Sequence, residues 1–140
     1  MLNKKNSNCK TLITCVKALD SLGFFIKHYL YYTLFMYNEL PPLELKKLIE
    51  EKKDFLILDV RTKEEFEICN LGGILIPHTE IEQRYDEIPE DKKLISLCHH
   101  GVRSKIAIDI LKAKGFKDLY NLTGGIDAYA KQADSKIKQY

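Results

Sequence analysis

Between residues 42 and 132 the apolar positions follow two alternating spacings. Phe55-Leu-Ile-Leu58 and Leu94 to Leu97 are short, nearly unbroken apolar runs, as in strands buried on both faces of a parallel sheet, and Asp118-Leu-Tyr-Asn-Leu122 reads as the last strand. Asn70-Leu-Gly-Gly-Ile-Leu-Ile-Pro77 reads as a turn, a brief strand and a stop. The segments between these runs have helical spacing. Asn38-Glu-Leu-Pro-Pro42 is a turn feeding a helix with proline in its first turn, and Leu43, Leu45, Leu48 and Ile49 supply that helix's apolar positions. Thr62 caps a short helix through Ile68, with Glu65 placed three residues on to close a capping box. A short helix over 79 to 86 turns Ile81 and Tyr85 inward. A longer one opens at Ser104, presents Ile106, Ala107, Ile110 and Leu111 on one face, and stops at Lys114-Gly115. Thr123-Gly-Gly125 turns into a last helix, Ile126 to Gln132. The alternation predicts an α/β chain: three layers, with a central, mainly parallel sheet flanked by helices.

Such sheets bind ligands beyond the carboxyl ends of their strands. One strand there ends in Cys98-His-His-Gly-Val-Arg103-Ser104 and gives way to a helix. A helix start has amide N–H groups without partners and the positive end of the macrodipole, and a cysteine placed there beside a cation is drawn toward its thiolate. Arg103 is that cation, and Gly101 gives the loop a residue able to take positive φ, so that successive amides curl into an anion-binding nest. Cys98 is therefore the candidate nucleophile and Arg103 the candidate anion binder, with His99, His100, Gly101, Val102 and Ser104 forming the active loop. Ser104 is expected to cap the helix, and its hydroxyl has a secondary route to the sulfur. Asp59 and Arg61 read as an ion pair tying one strand end to its neighbours. His78, after Pro77, reads either as a pocket-rim residue or as a surface histidine.

The loop, preceded by Leu58-Asp59-Val60-Arg61 and followed by Asn121-Leu-Thr-Gly-Gly-Ile-Asp-Ala-Tyr129, resembles a single-domain rhodanese, over roughly residues 37 to 133. The resemblance implies the rhodanese-like fold and a sulfurtransferase. In that family the matching cysteine takes a sulfane sulfur from thiosulfate or a persulfide and passes it on to cyanide, a thiol or a sulfur-carrier protein. Leu71-Gly-Gly-Ile-Leu-Ile-Pro77 is similar to rhodanese domains attached to adenylating enzymes that activate ubiquitin-like sulfur carriers. Cysteine phosphatases have a related loop one residue longer; here four residues separate Cys98 from Arg103, a ring suited to a single sulfur atom. Phosphatase or arsenate reductase chemistry, and a non-catalytic binding or sensing module of this fold, are the alternatives.

Charge and composition narrow the setting. A net charge of +2 over 140 residues does not point to nucleic acid. Residues 1 to 35 carry five lysines against Asp20 and form an extension distinct from the domain expected over 36 to 140. Its apolar run, Leu22 to Met36, contains Lys27 and His28 and falls short of the roughly 20 residues a spanning helix needs. A basic segment lying on a membrane surface, or a translated leader before a start at Met36, are the readings left open. Cys9, Cys15, Cys69 and Cys98 have no C-x-x-C spacing, and no signal-peptide cleavage site precedes them, so free thiols in a reducing, cytoplasmic setting are expected. Cys69 is read as a small core residue. Three adjacent residues, Cys98, His99 and His100, rarely converge on one ion, so neither a metal nor a cofactor is expected.

Overall fold

The computed structural model describes residues 37 to 140. The expectations for the extension, including Cys9, Cys15, its membrane contact and the alternative start, lie outside the described residues. Five strands, β1 (Asn38–Leu40), β2 (Leu56–Asp59), β3 (Ile74–Leu75), β4 (Leu94–Leu97) and β5 (Leu119–Leu122), form one sheet in the order β1-β5-β4-β2-β3. Every pairing is parallel. The helices are α1 (Pro42–Glu50), α2 (Lys63–Ile68), α3 (Ile81–Arg84), α4 (Val102–Lys114) and α5 (Gly125–Gln132), and a 3-10 turn (Tyr85–Glu87) follows α3.

The unbroken apolar runs are explained by the two cores they feed. Leu58 and Leu94 face a layer made with Ile81 of α3 and Ala107, Ile108 and Leu111 of α4. Their chain neighbours Ile57 and Ile95, with Leu97, face the other layer, made with Leu45 of α1 and Ile126 and Tyr129 of α5. Successive strand side chains point to opposite faces, so a strand covered on both sides is apolar at most positions, with Asp59, Ser96 and Asn121 the buried polar residues of these strands.

Three details differ from the sequence expectation. Asn38–Leu40, read as a turn, is an edge strand paired with β5, in register from Asn38 with Tyr120 to Leu40 with Leu122. Helix α4 begins at Val102, and its buried face is Ser104, Ala107, Ile108 and Leu111, while Ile106 is 48% exposed. Ser104 consequently lies inside the first turn; the N-cap is Gly101, and no side chain caps the helix. The capping box of Thr62 and Glu65 is present, and α4 ends at Gly115 with φ 103°, the left-handed ending that glycine permits. Among the described residues, no helix is long and apolar enough to cross a membrane.

Candidate active site

β4 delivers Cys98 to the carboxyl edge of the sheet, where only 1% of the residue reaches solvent. The Gly101 N–H donates to its Sγ at 3.0 Å. That approach depends on a chain reversal at Gly101, which takes φ 99°, a value costly for any residue with a Cβ. Because no side chain caps α4, its first-turn amides are left to whatever occupies the loop. Helix α5 secures the loop from behind: the N–H groups of Ile126 and Asp127 donate to the carbonyls of Cys98 (2.9 Å) and His99 (3.2 Å). Gly125, φ 67°, makes this possible, since a Cβ there would collide with both carbonyl oxygens.

The remaining loop residues separate by role. His99 stacks on Tyr140, with ring centroids 4.4 Å apart, and on His100 at 4.1 Å, so the imidazoles lie nearly parallel. Partial burial, followed by the neighbouring His100, lowers the His99 pKa. His100 is largely exposed, with Nδ1 3.8 Å from Asp127. Val102 projects outward, 69% exposed. Ser104 Oγ is buried, 3.6 Å from Cys98 Sγ, and donates to Asn121 Oδ1 at 2.5 Å.

Arg103 does not stand alone as the expected cation. Its Nη1 and Nη2 grip the two carboxylate oxygens of Glu65 at 2.6 and 2.7 Å. This bidentate bond, strongest among the causes, holds the Glu65 pKa down to about 2 and raises that of Arg103. Glu65 also accepts from the Thr62 N–H at 3.0 Å, so one carboxylate serves both the α2 cap and the loop arginine. Asp59 and Arg61 pair with no exposed surface, Nη2 to Oδ2 at 2.6 Å. Arg61 further donates to the Cys69 carbonyl (2.7 Å), the Glu65 carbonyl (3.2 Å) and the Tyr140 hydroxyl (2.7 Å). Cys69 is half-buried at the end of α2 rather than fully in the core. His78 is half-buried, its N–H donating to the Val60 carbonyl.

Glu39, Asn121 and Tyr140 join the site without any mark of their own as site residues in the sequence. Glu39 and Asn121 are 82 positions apart and meet only because β1 pairs with β5. The Asn121-Leu-Thr-Gly-Gly motif was the one available signal for that pair.

A parallel sheet presenting a buried cysteine at the mouth of a helix defines a class of α/β protein with a thiol-centred loop. A family profile described as Rhodanese-like domain matches residues 41–132, and the chain belongs to that family. A thiosulfate sulfurtransferase of Coxiella burnetii is 27% identical over 95 residues, covering 67% of this chain and 88% of the relative. A tRNA uridine(34) hydroxylase of Protochlamydia amoebophila is 31% identical over 108 residues, 71% of this chain. This chain spans only 34% of that longer relative's length. Among solved structures, a rhodanese-like domain protein from Staphylococcus aureus superposes with a TM-score of 0.63 at 29% identity, over 74% of this chain and 98% of the other.

Proposed function

We propose that the protein is a sulfurtransferase that carries a sulfane sulfur on Cys98. The observation that supports this most directly is a sheltered sulfur already accepting the Gly101 amide at 3.0 Å, in front of a helix start without a side-chain cap. In the first half-reaction the Cys98 thiolate attacks the outer sulfur of thiosulfate or a persulfide. A new S–S bond forms, the donor's S–S bond breaks, and sulfite or a thiolate leaves with the electron pair. Arg103, with donors left over beyond the pair it makes with Glu65, receives the anionic donor, and His99 flanks the same opening. In the second half-reaction cyanide or a thiolate, that of a sulfur-carrier protein included, attacks the terminal sulfur, forms a C–S or S–S bond to it, breaks its bond to Sγ and returns Cys98 as thiolate. The loop amides balance the charge in both steps. For its setting a reducing, cytoplasmic compartment follows from the cysteine spacing in the sequence.

The test is thiocyanate formation from thiosulfate and cyanide, together with mass spectrometry of the Cys98 peptide after thiosulfate alone. Wild type is expected to gain one sulfur atom at Cys98, and Cys98→Ser to lose at least about a thousandfold in rate. Equal rates in the two proteins, or a wild-type Cys98 that never gains sulfur, would overturn the proposal.

A further inference from the structure

Behind the sulfur runs a chain of hydrogen bonds whose direction is fixed by chemistry. At its outer end Lys105 Nζ lies 2.8 Å from Glu39 Oε1. Partial burial works against ionisation of Glu39, but bonds from Lys105 and Asn121 outweigh it and lower its pKa. An ionised carboxylate only accepts, so the Asn121 group facing it at 2.8 Å has to be the Nδ2 amide. Turning the amide over would set Oδ1 against the carboxylate. Asn121 Oδ1 therefore faces Ser104, and as a pure acceptor it takes the only hydroxyl hydrogen Ser104 has, at 2.5 Å. What Ser104 has left for Cys98 Sγ, 3.6 Å away, is a lone pair.

We propose that Glu39 and Asn121 are positioning residues that aim the Ser104 hydroxyl hydrogen away from the sulfur, so that Ser104 receives a hydrogen bond from the Cys98 thiol rather than giving one to its anion. Sequence separation alone makes the arrangement unusual to assemble: β1, β5 and α4 must all be in place before the carboxylate can act on the serine. In the protonated form of Cys98 both hydrogen-bonding functions are then met, the sulfur lone pair by the Gly101 N–H and the proton by Ser104. Release of the lock frees the hydroxyl to donate to a sulfur anion.

Several other charged or titratable groups stand on the elements around the loop. Arg103 is tied to Glu65, Arg61 to Asp59 and Tyr140, and Asp127 to Lys131, while His99 and His100 stack in the loop itself. Lys105, whose ammonium also lies 5.2 Å from the centre of the Tyr37 ring, would lose its ion pair when Glu39 is neutralised. A double-substitution cycle separates that charge effect from the proposed one. In the full-length protein, the rate of iodoacetamide alkylation of the Cys98 peptide is followed against pH by mass spectrometry. Glu39→Gln keeps the shape of the side chain, and Ser104→Ala removes a single atom.

Glu39→Gln is expected to move the alkylation midpoint to lower pH by about half to one unit, the scale of one hydrogen bond. In a Ser104→Ala background the same substitution is expected to produce no shift, and Ser104→Ala alone is expected not to raise the midpoint. Three results would each overturn the proposal. One is a Glu39→Gln midpoint unchanged or raised. Another is a shift that persists without the serine, which would make it a charge effect. The third is a midpoint raised by Ser104→Ala, meaning that the hydroxyl already donates to the anion. The inference rests on Cys98 being the transferring thiol, but alkylation needs no sulfur donor, so its failure and the failure of the sulfurtransferase reading register in different assays.

Discussion

Two arginine–carboxylate pairs flank the cysteine loop, and they differ in almost everything except their chemistry. Asp59 and Arg61 are two residues apart and wholly buried, and the guanidinium's remaining donors are spent on the Cys69 and Glu65 carbonyls and the Tyr140 hydroxyl. Glu65 and Arg103 are 38 positions apart, and about a quarter of the arginine side chain remains open to solvent. A buried pair is costly to form from solvated ions and ruinous to break on one side, whereas a partly solvated pair adds little stability and can exchange partners. The first pair thus holds the end of β2 against α2, and the second holds a cation at the mouth of the loop.

Four substitutions would break or sharpen that contrast. Asp59→Asn leaves a buried guanidinium without its counter-charge and is expected to cost about 3–5 kcal/mol in urea unfolding. A loss below about 1 kcal/mol would make the two pairs equivalent. Arg103→Lys replaces a planar fork by a point charge; stability should change by less than about 1 kcal/mol, while KM for thiosulfate rises about tenfold. The next effect is one of pH. Because the Glu65 pKa is depressed from 4.5 to about 2 on folding, its contribution to stability is complete above pH 4.5 and disappears as the pH falls through 2. Glu65→Gln can still close the capping box, so its unfolding free energy should fall less steeply than that of wild type over this interval. Parallel curves would count against the pair. Cys69→Ala should leave transfer within about twofold of wild type, because Cys69 meets Arg61 chiefly through its carbonyl and its Sγ lies 3.9 Å from Nη1.

Much of this was legible in the chain. The capping box at Thr62 and the glycine ending of α4 rest on contacts within a few residues, and the apolar runs of β2 and β4 record burial on both faces whatever element supplies it, so local patterns register all of these. The α4 face was misread for an instructive reason. Its inward stripe starts with Ser104, a polar residue buried against Asn121 and Cys98 Sγ, so apolar spacing alone points toward Ile106 instead. Edge strand β1 has a single buried residue, Leu40, and two prolines directly after it, too little for periodicity to register. Glu39 and Tyr140 carry no mark of their role in the residues around them. Their partners, Asn121 and Arg61, lie 82 and 79 positions away, and nothing in the neighbourhood of either residue signals the meeting.

Since Gly125 lets the amides of Ile126 and Asp127 grasp the backbone on which the thiol is mounted, those two protons are natural gauges of how often that mounting lets go. Deuterium uptake at the two positions would register breathing of the sulfur's perch with no label or ligand near it.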